Sequence, residues 1–246
     1  MKILLKISYV GTAYCGWQVQ KNARSVQETV QDAVEQVFGK RYPITGCSRT
    51  DSGVHAAGFR CTVDIDGKAP RIPESRIPIA LNTKLPDDVA VQCAQYVDDE
   101  FHARYSVKSK RYEYVIHNSP LRDPFLAGRV WNVPQPLDEE VMNKAAQEFI
   151  GTHDFSSFRA AGSDVPDSVR TVFSASVRRD GERVIFSVCA DGFLYNMVRI
   201  MMGTLVDISR GSIVENISDI INARDRKKAG QTAPPDGLTL SDVFYS

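Results

Sequence analysis

The alternation of apolar and polar positions predicts short strands interleaved with helices. Residues 1–11, MKILLKISYVG, alternate and predict a strand. Ser25 then begins a helix with an apolar stripe; Glu28 completes a Ser-x-x-Glu capping box, and Gly39 ends the helix. Further strands are predicted near 43–48, 59–65 and 89–97.

The later part of the chain follows a similar order. SKRYEYVIHN, from Ser109, predicts a strand, and a helix follows from Asp138 to Ile150 with Gly151 as its end. Two strands are predicted at about 169–179 and 183–190. Next comes a helix with an apolar stripe whose methionines we interpret as core: Leu194, Val198, Met201, Leu205 and Ile208.

Few of these strands are joined by the crossover that a parallel pair needs. We therefore expect an α+β protein with a mostly antiparallel sheet flanked by helices, built as two related halves. The predicted halves are an N-terminal one, residues 1–105, and a C-terminal one, residues 106–246.

The composition indicates the cellular compartment and limits the kinds of binding partner. The chain has 246 residues, of which 43% are hydrophobic, so it can bury a core without disulfides or metals. Its five cysteines form no CxxC pair, which argues against a disulfide framework or a structural zinc site and favours a cytoplasmic setting. No apolar run reaches the length of a membrane span. The net charge is zero, so a nucleic-acid partner needs a local basic surface.

Residues 46–58, GCSRTDSGVHAAG, concentrate the candidate chemistry. Asp51 before Ser-Gly is typical of a tight turn, and that is the structural alternative to a catalytic role. If residues 44–51 continue as a strand, Arg49 and Asp51 share a face about 7 Å apart. A neighbouring guanidinium favours the ionised carboxylate that a nucleophile needs. We interpret His55 as a structural hydrogen-bonding residue and give it no catalytic role.

No cofactor signature accompanies this segment. The chain has no GxGxxG, no Walker loop, no HExxH and no paired HxE and PCxxC, so we expect neither cofactor nor metal.

The segment closely resembles the RTDxGVHA active-site motif of the tRNA pseudouridine synthase A family. Other segments resemble that family, in order along nearly the whole chain: YVGTAYCGWQVQ, SVQETVQDAV, LNTKLPDDVAV, FHARYSVKSKRYEYVI, DFSSFR, GFLYNMVRIMMGTLVDI and GLTL. Two departures are Val10 before Gly11, where Asp-Gly is usual, and Ser52, where alanine is usual.

The resemblance implies a pseudouridine-synthase-type fold with a central cleft and no cofactor. It also implies isomerisation of uridine to pseudouridine in the anticodon stem-loop of tRNA, at the positions numbered 38 to 40. Asp51 falls on the catalytic nucleophile and Arg199 on the arginine that pairs with it. Tyr112 falls on the tyrosine that stacks on the target base, and Arg49 on the basic residue implicated in displacing that base.

Each role has a structural alternative. Tyr112 alternates with Tyr114 and would otherwise be interpreted as a core tyrosine, and Arg199 as a helix-surface charge. The chemistry also leaves two routes open, because a carboxylate can attack the ribose anomeric carbon or C6 of the base. An aspartic protease and an RNA-binding module without catalysis are the rival functions.

We further expect a homodimer that pools basic patches to hold tRNA, because family members are dimeric and this chain is neutral. The candidate RNA-binding residues are Lys108, Lys110, Arg111, Lys227 and Lys228. The last two lie in ARDRKKAG, a charge run whose structural alternative is a solvated helix end.

Overall fold

The computed structural model describes residues 2–66, 69–162 and 167–246. The strands among them, numbered in chain order, are β1 (Lys2–Tyr9), β2 (Ile44–Gly46), β3 (His55–Asp64), β4 (Val89–Val97), β5 (Ser109–His117), β6 (Trp131–Asn132), β7 (Gly151–Asp154), β8 (Val169–Asp180), β9 (Arg183–Ala190) and β10 (Leu238–Phe244). The helices are α1 (Val26–Phe38), α2 (Ile77–Asn82), α3 (Glu139–Gln147), α4 (Met197–Ser209) and α5 (Ile217–Ala223).

Contacts divide the chain into two units. The first unit runs up to Lys108 and includes Leu240–Ser246, and the second is Ser109–Thr239. Most of β10 therefore belongs to the first unit, although it follows the whole second unit in sequence. The division into halves at residues 105 and 106 stays a prediction.

The first unit is built on antiparallel strands around β1. Leu5 of β1 lies opposite Cys61 of β3 on one side and Ala94 of β4 on the other. β2 pairs antiparallel with β3, and β10 also lies next to β3. Ile3, Leu5 and Ile7 are buried on one face of β1, so the alternation predicted this strand correctly; Met1 lies outside the described residues.

Helix α1 has the two ends that its sequence predicts. The Ser25 hydroxyl accepts a hydrogen bond from the Glu28 N–H at 3.2 Å, which satisfies one of the donors left open by the first turn. Gly39 ends the helix in the left-handed conformation, with φ 75°. The buried stripe of this helix consists of Val26, Val30, Ala33, Val34 and Phe38.

The second unit contains the antiparallel strand order β5-β9-β8-β7, with the short β6 parallel to β5. The predicted strands at 169–179 and 183–190 are confirmed as the β8–β9 hairpin. Helix α3 packs against β8 and α4. Its cap is Asp138, whose carboxylate accepts from two backbone N–H groups of the first turn, both at 3.0 Å.

Helix α4 begins at Met197, three residues after the start of the predicted stripe. Met197, Met201 and Met202 are buried, which confirms that the methionines belong to the core. The α+β class and the mostly antiparallel pairing are confirmed. The central cleft stays a prediction.

Several short elements were not predicted, namely α2, α5, β6, β7 and β10. The charge run at 223–230 follows α5 and includes a short 3₁₀ turn at Arg226–Lys228. Within the described part of the chain, the helices are too short or too polar to cross a membrane.

Candidate active site

Asp51 lies in a turn between β2 and β3, not on a strand. β2 ends at Gly46, so the expectation that a strand continues to residue 51, with Arg49 and Asp51 on one face, is wrong. The physical reason is that the turn has its own bonds: the Val54 N–H donates to the Asp51 carbonyl at 3.2 Å, and Gly53 has φ 81°. The structural interpretation of Asp-Ser-Gly as a tight turn is therefore confirmed.

The residues on both sides of Asp51 are held by the segment from Tyr9 to Trp17. The buried Thr50 hydroxyl is hydrogen-bonded to the Tyr9 hydroxyl at 2.8 Å. The Thr50 carbonyl accepts from the Trp17 N–H at 3.2 Å. These two bonds leave the Thr50 backbone few alternative positions, so they hold the backbone that enters Asp51 in place.

A second pair of bonds holds the other side of the turn. The Gly53 N–H and the Ser52 hydroxyl both donate to the Tyr14 carbonyl, at 3.3 and 3.2 Å. Ser52, one of the departures from the family motif, thus has a structural bond. Asp51 itself is partly exposed on this fixed turn.

Gly16 allows the two segments to approach each other. Its φ is +97°, and a Cβ placed there would lie inside van der Waals contact with the Thr50 carbonyl oxygen and 3.1 Å from the Asp51 carbonyl carbon. Only glycine provides both this conformation and this space. Sequence reasoning gave Gly16 no role, although it lies in one of the family-like segments, YVGTAYCGWQVQ.

His55 is buried, and its Nδ1 accepts a hydrogen bond from the Gly11 N–H at 2.9 Å. This bond requires Nδ1 to carry no proton. The structural hydrogen bond that we expected of His55 is therefore present. The same bond shows that Gly11, which directly follows Val10, the other departure from the family pattern, is part of the support of this turn.

Arg49 is exposed and lies in the irregular segment after β2. Because β2 ends at Gly46, Arg49 does not share with Asp51 the strand face that the sequence suggested. Its role in displacing a base stays a prediction.

In the second unit, Tyr112 lies on β5 opposite Val188 of β9. It is buried, at 6% exposure, and its ring meets that of Phe193 at 84° with centroids 5.1 Å apart. Tyr114, on the same face, is fully buried and donates its hydroxyl proton to the Pro234 carbonyl at 2.7 Å. Burial raises the pKa of Tyr114 above its ordinary range. Both tyrosines are thus part of a packed face, as the structural alternative expected. The stacking role of Tyr112 stays a prediction.

Arg199 is partly exposed on the first turn of α4. Its Nε donates to the Ala233 carbonyl at 2.7 Å, and its Nη1 donates to the Asn196 side-chain oxygen, also at 2.7 Å. The Arg199 carbonyl accepts from the Ala233 N–H at 3.1 Å. The guanidinium is therefore oriented within its own unit by two acceptors.

The candidate basic residues of the Tyr112 strand do not share one face. Lys110 and Tyr112 are on the same face of β5, because side chains two residues apart point the same way, whereas Arg111 is on the other face and is exposed. Lys108, the last residue before the second unit, is exposed.

The charge run after α5 is largely engaged in local contacts. Arg226 donates to the carbonyls of Ala229 and Gly230, and burial lowers its pKa. Lys228 pairs with Glu215 at 3.3 Å, while Lys227 is exposed. The contacts of Arg226 fit the interpretation of this charge run as an ordinary helix end. Lys227 is an exposed surface cation.

No group of three or more His, Cys, Asp and Glu side chains that could hold a metal ion occurs in residues 2–66, 69–162 and 167–246. The candidate residues offer a carboxylate on a rigid turn from Asp51, an oriented guanidinium from Arg199 and an aromatic ring from Tyr112.

Comparison with known proteins defines the class. A family model described as tRNA pseudouridine synthase matches residues 6–106 and 145–246. The chain is 46% identical over 244 residues to tRNA pseudouridine synthase A of Acetivibrio thermocellus, which covers 99% of each chain. It is 44% identical over 248 residues to the protein of the same name from Thermoanaerobacter sp. (strain X514), again over 99% of each chain.

One solved structure, the crystal structure of a Cbf5-Nop10-Gar1 complex, overlaps with a TM-score of 0.35 at 11% identity, over 83% of this chain and 54% of that one. That overlap is too weak to bear on the function.

These similarities, together with the α+β fold, define an isomerase of the tRNA-modifying class. The chain belongs to the tRNA pseudouridine synthase family. The family resemblance that the sequence motifs indicated is confirmed, and the aspartic-protease alternative is wrong, because the match extends over both parts of the chain and not only over the Asp-Ser-Gly turn.

Proposed function

We propose that this chain isomerises uridine to pseudouridine in the anticodon stem-loop of tRNA, at positions 38, 39 and 40, with Asp51 as the nucleophile. The observation that carries the proposal is the fixed turn around Asp51, which is bonded on both sides while the carboxylate-bearing residue stays partly exposed. A positioned carboxylate needs no ordering step before it attacks.

The isomerisation is balanced without a cofactor. The bond between N1 of uracil and C1′ of ribose breaks, the uracil turns, and a bond forms between C5 and C1′. C5 then loses its proton and N1 gains one. Asp51 forms a covalent bond either to C1′ or to C6 of the base and is released at the end, so the carboxylate is regenerated.

The other residues have supporting roles in this proposal. Arg199 is the cation that pairs with the Asp51 carboxylate, and Tyr112 stacks on the uracil after it leaves the RNA stem, a step that costs a few kcal/mol. Arg49 helps to displace the base. These roles come from the family resemblance, and the orientation of Arg199 by two acceptors supports its part.

The decisive experiment compares Asp51→Asn with the parent on an unmodified tRNA transcript. Pseudouridine has the mass of uridine, so the product is read by nucleoside mass spectrometry after chemical tagging. The amide is isosteric but cannot act as the nucleophile, so we expect no product while tRNA affinity stays close to that of the parent. Asp98→Asn, an exposed aspartate in the same unit, is the matched control and should remain active.

Product from the Asp51→Asn enzyme would remove the nucleophile assignment. A parent enzyme that binds tRNA and forms no pseudouridine would favour the alternative of an RNA-binding module without catalysis.

The site on tRNA is proposed to be read by shape. The wide minor groove and phosphate path of an RNA stem can be recognised by geometry. Moving a uridine among adjacent positions on the 3′ side of the anticodon stem, with the arm kept folded, should leave conversion detectable at each. Conversion confined to one position and lost when a flanking pair is exchanged would indicate direct base readout instead.

tRNA is proposed to be held by Lys108, Lys110, Arg111, Lys227 and Lys228, across a homodimer. Each phosphate neutralised by these cations contributes to a linear fall of log affinity with log salt concentration. Replacing Lys227 by Gln should reduce that slope, whereas replacing the inward-bonded Arg226 should act mainly on stability. A monomer in sedimentation at the assay concentration would contradict the shared binding surface.

A further inference from the structure

Asn196, the residue before the first turn of α4, has an unusual conformation and an unusual hydrogen bond. Its φ and ψ are 59° and 11°, in the left-handed region, whereas a residue that caps a helix start is normally extended. Its side chain makes no capping bond to the backbone of the helix. Instead, its Oδ1 accepts a hydrogen bond from Arg199 Nη1 at 2.7 Å.

The left-handed conformation restricts which residues fit at this position. Glycine adopts it at no steric cost, asparagine and aspartate tolerate it, and most other residues are strained there. Glycine would therefore satisfy the backbone best, and asparagine adds a side chain that can make a further contact.

The bond to Arg199 supplies that reason. The Ala233 carbonyl fixes Nε, and Asn196 Oδ1 fixes Nη1, so two acceptors at different nitrogens define the plane in which the guanidinium lies. Removal of Asn196 Oδ1 takes away the acceptor that fixes Nη1 and leaves the Ala233 carbonyl at Nε. A hydrogen bond to an ionised donor is also among the stronger ones in proteins.

We propose that Asn196 is a positioning residue: its backbone starts α4 in the left-handed conformation, and its side-chain oxygen orients the Arg199 guanidinium for the reaction. This inference rests on the proposed function, because it assigns Asn196 an effect on catalysis only through Arg199. It predicts an effect on the rate of the chemical step and little effect on tRNA binding or on folding.

The experiment separates the two tasks of Asn196 with two substitutions. Asn196→Gly keeps the left-handed conformation and removes the acceptor, and Asn196→Asp keeps both. The single-turnover rate at saturating enzyme, the KM for tRNA and the melting temperature are measured for each. Asn22→Gly is the matched control, because Asn22 is also left-handed, with φ 69°, and is exposed in a loop of the first unit.

We expect Asn196→Gly to slow the single-turnover rate at least about tenfold, since it loses a hydrogen bond to a charged group, while KM and melting temperature stay near the parent values. Asn196→Asp should recover most of that rate, and Asn22→Gly should equal the parent. The inference is overturned by full activity of Asn196→Gly, by an Asn196→Asp enzyme as slow as Asn196→Gly, or by an equal loss in Asn22→Gly.

Arg199→Ala, measured in the same assay, distinguishes the role proposed for Arg199 from the role proposed for Asn196. An active Arg199→Ala enzyme would remove the role proposed for Arg199 itself. An inactive Arg199→Ala enzyme beside a fully active Asn196→Gly enzyme would leave that role intact and remove only the one assigned to Asn196.

Discussion

Replacing Gly16 by alanine tests whether the fixed turn around Asp51 matters for the reaction. The new methyl group destabilises the folded state in two ways. The φ of +97° is strained for any residue with a Cβ, at a cost of about 1–2 kcal/mol. The Cβ also overlaps the Thr50 carbonyl oxygen, and making room for it moves that peptide by roughly 1 Å, a form of overpacking that costs about 1–3 kcal/mol.

The sum predicts that Gly16→Ala lowers the free energy of unfolding by about 2–5 kcal/mol, which corresponds to a fall in melting temperature of roughly 4–20 °C. The peptide that moves is the one that enters Asp51. A displacement of this size at a reacting group can reduce the rate about a hundredfold. The assay is therefore calorimetry together with the single-turnover rate, measured well below the variant's melting temperature.

Gly39→Ala is the matched comparison. Gly39 also has a positive φ, of 75°, but apart from its own chain neighbours no atom of the described residues lies within 4 Å of an added Cβ. This variant carries the conformational penalty alone, about 1–2 kcal/mol, and should keep the parent rate. Parent-like turnover by a folded Gly16→Ala enzyme, or an equal rate loss in both variants, would refute the reasoning that links the position of the turn to the rate.

Three further predictions concern stability and reactivity. Burial and then the hydrogen bond to Asp88 raise the pKa of Tyr14 from 10.0 to about 12. The neutral Tyr14 hydroxyl therefore stabilises the folded state fully below pH 10, and this contribution is lost as the pH rises through about 12. In denaturant titrations, Tyr14→Phe should lose less stability over that pH range than the parent. Ser25→Ala should cost about 1 kcal/mol in the same titrations by removing the cap of α1, and a cost near zero would contradict this. Cys93 is exposed and should be the fastest thiol to react with a labelling reagent, so a fast phase that persists in Cys93→Ser would be the contrary result.

The elements that the sequence predicted well are those whose signals are local. Helix α1 has a capping residue, a closing glycine and a clear apolar stripe, and each of these acts within a few residues. The β8–β9 hairpin has a partly alternating strand before a short turn and a nearly continuous apolar strand after it. Both elements can therefore be recognised in the sequence without knowledge of the distant residues that they pack against.

The elements that were missed depend on distant partners or are short. β10 is a seven-residue strand next to β3, far away in sequence, and α2 has only six residues. The wrong extension of β2 has the same origin, because Thr50 is held by Tyr9 and Trp17 and not by a strand partner. Tertiary contacts therefore override the local pattern at these places.

The same limit applies to the candidate site. The motif indicated Asp51, Tyr112 and Arg199, but no local signal pointed to Gly16 or Asn196, whose importance lies in a close approach and a side-chain bond. A glycine or an asparagine in a sequence does not reveal which distant carbonyl or guanidinium it will meet.

The position of β10 has a consequence for the order in which the protein is made. The first unit is completed by Leu240–Ser246, which the ribosome adds only after all of Ser109–Thr239 has been synthesised. Until then, β3 lacks a neighbour that it has in the finished protein, and the part of that strand edge that β2 does not cover has no strand partner in the nascent first unit. The turn with Asp51 leads directly into β3, so the strand that follows the carboxylate gains its β10 neighbour only when most of the chain already exists.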